Sequence, residues 1–106
     1  MILKDLDELK AMEAAPGYVA KLVHTPSITI AYWTIKAGSI LPEHDHPHEQ
    51  VVNMIEGTFE MTVEGKTFLL EPGKVLVIPP EKKHSGKALG PCRIIDVFHP
   101  SRDDYR

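Results

Sequence analysis

GSILPEHDHPHEQVVNMIEG, residues 38–57, crowds three of the chain's six histidines into alternate positions, His44, His46 and His48. On an extended strand, residues two apart point to the same side. His44 and His46 then aim two imidazoles at one point, and Gln50 shares their parity if the strand continues. Pro47 interrupts that regularity, so parity alone does not place His48. Neutral imidazoles with an oxygen ligand suit a divalent first-row metal. A further ligand has to come from elsewhere in the chain. His84 is the candidate, because it follows the strand-like run KVLVIPP and the short loop EKK. His24 and His99 have no clustered neighbour. Without a metal, each of these histidines is an ordinary surface or core residue, and HxH alone is a weak motif.

Outward from this stretch the pattern is that of strands. SITIAYWTIKAG (27–38) is rich in β-branched and aromatic residues. QVVNMIEG runs into TFEMTVEGKTFLL, with Glu64-Gly65 as a hairpin turn. EPG, KVLVIPP and CRIIDVFHP follow. Short strands between Gly and Pro signals predict an all-β sandwich or barrel. At the N-terminus, Leu3, Leu6, Leu9 and Met12 recur at near-helical spacing before Pro16-Gly17, which predicts a short helix over residues 3–15.

The chain's 106 residues suit one compact domain, 1–106. The composition, 42% hydrophobic and 25% charged, is that of an ordinary globular protein. A net charge of -3 with scattered basic residues gives no footprint for nucleic acid. The first fifteen residues carry acids where a signal peptide would be apolar, and no stretch approaches the length of a membrane span. The one cysteine, Cys92, has no partner for an internal disulfide, and reads as a buried small hydrophobe. These features fit a cytoplasmic protein with no membrane partner.

The histidine stretch and its downstream partner resemble the double motif of the cupin superfamily. The first motif, G-x5-H-x-H-x3,4-E-x6-G, is met by Gly38, His44, His46, Gln50 and Gly57, with Gln50 where Glu is usual. The second, G-x5-P-x-G-x2-H-x3-N, is met by Gly73, Pro79 and His84, with Glu81 in place of the glycine and Ala88 in place of the asparagine. Together they span residues 38–88. The resemblance implies a small jelly-roll β-barrel with one divalent transition metal inside it (Zn, Ni, Mn, Fe or Co), held by His44, His46, Gln50 and His84. An amide in place of the carboxylate leaves the bound ion with its full +2 charge, a stronger Lewis acid that favours an anionic ligand. Glu49 points the other way, and replaces Gln50 as ligand only if the strand bulges. Cupins commonly pair, so a homodimer is expected.

The tail DVFHPSRDDYR (96–106) is similar to the DxFxPxR ending of small cupins with HxHPHEQ in their first motif, a group that includes the KdgF-like proteins of pectin and alginate breakdown. The likeness implies that Asp96, Phe98 and Arg102 line the site. Ile94, Asp96 and Phe98 share one strand face, and a carboxylate between two apolar residues is out of place in a plain core. Asp96 is then a candidate general acid/base, Phe98 an apolar wall and Arg102 a two-pronged clamp for a carboxylate. Otherwise Asp96 and Arg102 are a structural ion pair or solvated edge residues. Tyr32, Trp33, Met54 and Met61 read as core or cavity lining. The KdgF-like reaction opens and ketonises a 4,5-unsaturated uronate. The rival readings are a metal-dependent dioxygenase and a non-enzymatic barrel that binds a small ligand.

Overall fold

A computed structural model describes residues 1–106. Its strands are β1 (Met12–Ala15), β2 (Tyr18–His24), β3 (Thr29–Ile35), β4 (Ile40–His44), β5 (Glu49–Glu56), β6 (Phe59–Val63), β7 (Lys66–Leu70), β8 (Val75–Ile78), β9 (His84–Ala88) and β10 (Cys92–His99). Alternation sets them. On β3, Thr29, Ala31, Trp33 and Ile35 are buried; on β10, so are Cys92, Ile94, Asp96 and Phe98. Every pairing is antiparallel, and the strands form two sheets, ordered β1-β2-β3-β10-β5-β8 and β4-β9-β6-β7. The buried faces share one core, with Phe59 and Met61 from the smaller sheet and Val52, Met54, Ile94 and Phe98 from the larger.

The all-β class is as the sequence predicts, but the barrel is not closed. β1 and β8 end one sheet, β4 and β7 the other, and no backbone ladder joins them. The histidine stretch is one place where the chain crosses between the sheets. β4 stops at His44, and β5 begins at Glu49 in the other sheet. Between them Pro47 can donate no ladder hydrogen bond, so the chain turns a corner instead of continuing a strand.

The expected N-terminal helix is absent. Residues Leu6–Glu8 make one 3-10 turn, capped by the Asp5 carboxylate, which accepts from the Asp7 N–H at 3.0 Å, and Met12–Ala15 is an edge strand on β2. Steps of three residues turn an α-helix by about 300°, so four such leucine and methionine positions drift around the helix and do not form one stripe. Edge pairing wins over so weak a stripe. No helix is long and apolar enough to cross a membrane.

The turns follow the sequence more closely. Glu64 and Gly65 have φ of 47° and 80°, the doubly positive turn that joins β6 to β7 across the Val63–Lys66 pair. Glu81 stands where the cupin motif has glycine, yet it takes the glycine conformation, with φ of 68°. Gly86 on β9 is fixed by packing: a Cβ there would lie 2.4 Å from the Phe59 ring.

Candidate metal centre

Cross-strand register builds half of the site. His44 at the end of β4 lies directly opposite His84 at the start of β9, with ring centroids 4.2 Å apart. His46 comes from the corner, and its backbone carbonyl accepts from the Glu81 N–H at 2.9 Å, tying the corner to the loop before β9. Its ring centroid is 5.0 Å from that of His84. The ligand atoms of His44, His46 and His84 all lie within 4.8 Å of one another; His46 and His84 are buried and His44 half-buried. The expected convergence is real, but its cause differs from the strand alternation read in the sequence. The three imidazoles come from a strand end, a corner and a second strand.

Each ring is fixed in one tautomer by a backbone carbonyl, which can only accept. Nδ1 of His44 donates to Pro42 (2.9 Å), Nδ1 of His46 to His48 (3.1 Å) and Nδ1 of His84 to Lys82 (2.8 Å). Every Nε2 therefore carries a lone pair, the arrangement in which a neutral imidazole binds a metal. Burial pulls the His46 pKa down to about 4, helped by the charges of Arg102 and His84. Burial lowers that of His84 as well, against the Lys82 carbonyl. Both rings are thus neutral at pH 7 without a metal.

Two observations test whether a cation fits. His84 Nε2 is buried and has no hydrogen-bond partner in the chain. Gln50 Oε1 lies 3.1 Å from His46 Nε2. The other end of the Gln50 amide, Nε2, donates to Asp96 Oδ2 at 3.1 Å, which fixes the orientation of the amide. Oε1 and the His46 lone pair therefore face each other as two acceptors. A proton between them is disfavoured by the lowered His46 pKa; a divalent cation satisfies both. Glu49 is exposed, and β5 pairs without a bulge at this end, so no carboxylate replaces Gln50. His48 is buried with Nδ1 unpartnered, beside Phe98 and outside the group of three.

The larger sheet supplies the other half. In the centre of that sheet, β10 pairs with β3 and β5. Asp96 faces Ala31 on one side and Val52 on the other, so Trp33 and Gln50 reach it on the diagonals. The Trp33 indole N–H donates to Asp96 Oδ2 at 2.9 Å. Asp96 Oδ1 is buried with no partner in the chain. Burial pushes the Asp96 pKa up to about 7, against the hydrogen bonds from Gln50 and Trp33 and the charge of Arg102. Asp96, Gln50, His44, Phe98 and Arg102 line one cavity of about 40 Å³ with apolar walls from Val52, Phe59, Met61 and Ile94. That volume holds about three waters. A groove between the 45–48 corner and residues 100–104 reaches His46 from outside.

Arg102 is buried and stacked, its guanidinium carbon 4.7 Å from the Phe98 ring centre and 4.0 Å from that of Tyr105. One edge of its fork is taken by Asp104, through Nε at 3.0 Å and Nη2 at 2.7 Å. Its backbone N–H donates to the buried Thr29 hydroxyl at 2.8 Å, and that hydroxyl reaches His24 Nδ1 at 2.8 Å. Sequence reading passed over three of these partners. Trp33 was legible as cavity lining, and only its indole donor, which a buried Trp usually has to satisfy, hinted at more. Thr29 and Asp104 carry no pattern at all.

A family model described as Cupin domain matches residues 31–98. Among solved structures, KdgF from Halomonas sp. is 33% identical, with TM-score 0.87 over 94% of this chain and 95% of that one. An RmlC-like cupin from Shewanella frigidimarina is 22% identical, with TM-score 0.90 over 97% of this chain and 94% of that one. A polyketide synthase CurC of Streptomyces cyaneus is 34% identical over 63% of this chain and 44% of its own length. This chain thus spans less than half of that curated relative.

Proposed function

The chain belongs to the cupin family as a small RmlC-like member, and from that premise we propose that it is a metal-dependent enzyme acting on a small anionic, sugar-derived substrate. The observation that carries this reading is one cavity lined both by His44, a member of the three-imidazole cluster, and by Asp96, whose carboxyl group has a buried, unpartnered oxygen. A metal centre alone fits a binding protein; a carboxyl group poised near neutrality beside it fits proton transfer. His44, His46, His84 and Gln50 would hold the ion, which when bound supplies Lewis acidity toward a substrate oxygen.

The chain's own groups suit the ring opening and ketonisation of a 4,5-unsaturated uronate. That conversion is an isomerisation: a proton leaves an oxygen, a proton is delivered to carbon, and nothing is oxidised. Asp96 Oδ1 accepts and returns that proton. Phe98 forms an apolar wall. The free edge of Arg102 binds the carboxylate, and Asp104 keeps the guanidinium oriented. Arg102 is the only cationic side chain lining the inner cavity, while Asp45, Asp103 and Asp104 line the groove outside. Attraction of an anion therefore rests on Arg102 and the metal, not on the rim. The cavity of about 40 Å³ is smaller than a monosaccharide, so binding the substrate requires its walls to open.

The test begins with the metal content of protein purified without added metal or a histidine tag, beside a His44→Ala/His46→Ala variant. About one Zn²⁺ or Ni²⁺ per chain, lost in the variant, with consumption of the conjugated double bond of an unsaturated uronate, is the expected result. Fe²⁺ with substrate-dependent O₂ uptake would instead establish a dioxygenase. Tight ligand binding without turnover would leave a binding module.

A further inference from the structure

We infer that Trp33 and Gln50 are positioning residues that clamp one oxygen of Asp96, so that the other, Oδ1, is the oxygen left to meet a substrate, and that this clamp is why position 50 holds an amide. The inference rests on the proposed function in taking Asp96 to meet the substrate, and it deepens that reading. Both donors converge on Oδ2, from Trp33 Nε1 at 2.9 Å and Gln50 Nε2 at 3.1 Å. An oxygen accepting two N–H groups has no geometry left for a proton. Oδ1 is buried and unpartnered on the same carboxyl group. The clamp thus sorts two chemically equivalent oxygens into an anchored one and a reactive one.

The same geometry excludes glutamate at position 50. Gln50 faces two ways, with Oε1 toward the imidazoles and Nε2 toward Asp96. A glutamate would set a second carboxylate oxygen about 3 Å from Asp96 Oδ2, and two such groups share one proton. That proton would sit between residues 50 and 96 and be lost to the cavity. In the observed arrangement the carboxylate stands one hydrogen bond further out than the glutamate of the usual cupin motif. A ligand that cannot exchange protons is thereby replaced by an amide ligand and a carboxyl group that can.

Trp33 is the only tryptophan, so its indole N–H gives a single resolved signal in a nitrogen–proton correlation spectrum. Without any variant, that proton is expected downfield of a free indole; a free-indole position overturns the clamp. Asp96→Asn keeps an acceptor at the Oδ2 place and preserves the signal, whereas Asp96→Leu moves it to the free position. An unchanged signal in Asp96→Leu overturns the clamp, and if that variant does not fold, the wild-type shift still decides. On turnover, Gln50→Glu is expected to keep its metal but lose kcat about 100-fold at near-constant KM. Trp33→Phe loses about tenfold in kcat, with metal affinity unchanged. A Gln50→Glu protein with wild-type kcat overturns the inference. A wild type inactive on every uronate, with the downfield indole intact, sinks the proposed function and leaves the clamp standing.

Discussion

The two sheets bring unlike parts to one cavity. The smaller sheet and its corner contribute imidazoles whose rings are oriented by loop and strand-end carbonyls at Pro42, His48 and Lys82. The larger sheet contributes Asp96 from its central part, flanked on both sides by paired strands and anchored by side chains of its neighbours. The three imidazoles come from a strand end, a corner and a strand start, whereas Gln50, the fourth candidate donor, stands on β5 between β10 and β8. Asp96, the proposed proton carrier, stands on a strand paired on both sides and is anchored by two N–H donors. The difference suggests a division of labour: changes at the imidazoles remove the metal, and changes on the strip formed by Asp96 and Trp33 across β10 and β3 remove the chemistry.

The strongest way to break that division is to cut each side alone. His44→Ala/His84→Ala is expected to lower metal affinity by 100-fold or more, since two donors go. It leaves the indole environment of Trp33 as it was. Asp96→Asn is expected to keep one metal per chain and to lose activity by about 100- to 10,000-fold. Metal analysis by mass spectrometry and steady-state kinetics on the same preparations decide it. Loss of metal in Asp96→Asn would merge the two regions into one.

The pH dependence of the metal-free protein sharpens the contrast, because the two sides titrate in opposite senses. Asp96 has a folded pKa raised to about 7, from an ordinary value of 3.8. Its contribution to stability is fully present below 3.8 and is lost as pH rises through about 7. His46 has a folded pKa lowered to about 4, from 6.5. Its contribution is present above 6.5 and is lost as pH falls through about 4. The two oppose each other between pH 4 and 7, and His84, whose pKa burial also lowers, adds to the histidine side. Asp96→Asn removes the carboxyl limb, and its stability should climb with pH more steeply than the wild type's over that range. Denaturant melts at four or five pH values in chelator read the slope; an Asp96→Asn profile parallel to the wild type's would remove the buried carboxyl from the account.

How much of this was legible follows the same division. The corner announces itself, because three histidines in five residues are rare and their spacing to Gly38, Gly57 and His84 is that of a double motif. The mechanism of convergence was not legible. Parity assumes one strand, and Pro47 makes two. On the strip, Asp96 stands out as a charge in an apolar alternation, but its partners are 63 and 46 residues away along the chain. Only register brings them together, and register is a tertiary property. The N-terminal misreading has the same root, since a weak helical stripe loses to an edge that needs a partner.

A smaller effect tests how the tail is held. Thr29 is fully buried, and its hydroxyl accepts from the Arg102 N–H and reaches His24. Thr29→Val strands that N–H and is expected to cost about 1–2 kcal/mol, a fall of several degrees in Tm for a chain of this size. The metal stays, because no imidazole of the cluster touches Thr29. Raised KM with unchanged kcat would follow from a displaced Arg102, and places the tail on the binding side of the site.

The smallest expected effect concerns the joint between the two regions. Glu81 holds the left-handed conformation at φ 68°, where an L side chain costs about 1 kcal/mol relative to glycine, and its N–H donates to the His46 carbonyl. Glu81→Gly relieves that cost and keeps the backbone hydrogen bond, so it should stabilise the protein by about 1 kcal/mol. The side chain is exposed and touches no ligand, so metal affinity should not move. Suppose instead that affinity falls while stability rises. The strain at Glu81 would then be holding His46 in place, and the corner would be as preorganised as the strip it has been contrasted with. Calorimetric metal titration beside thermal melts of the metal-free protein separates the two outcomes.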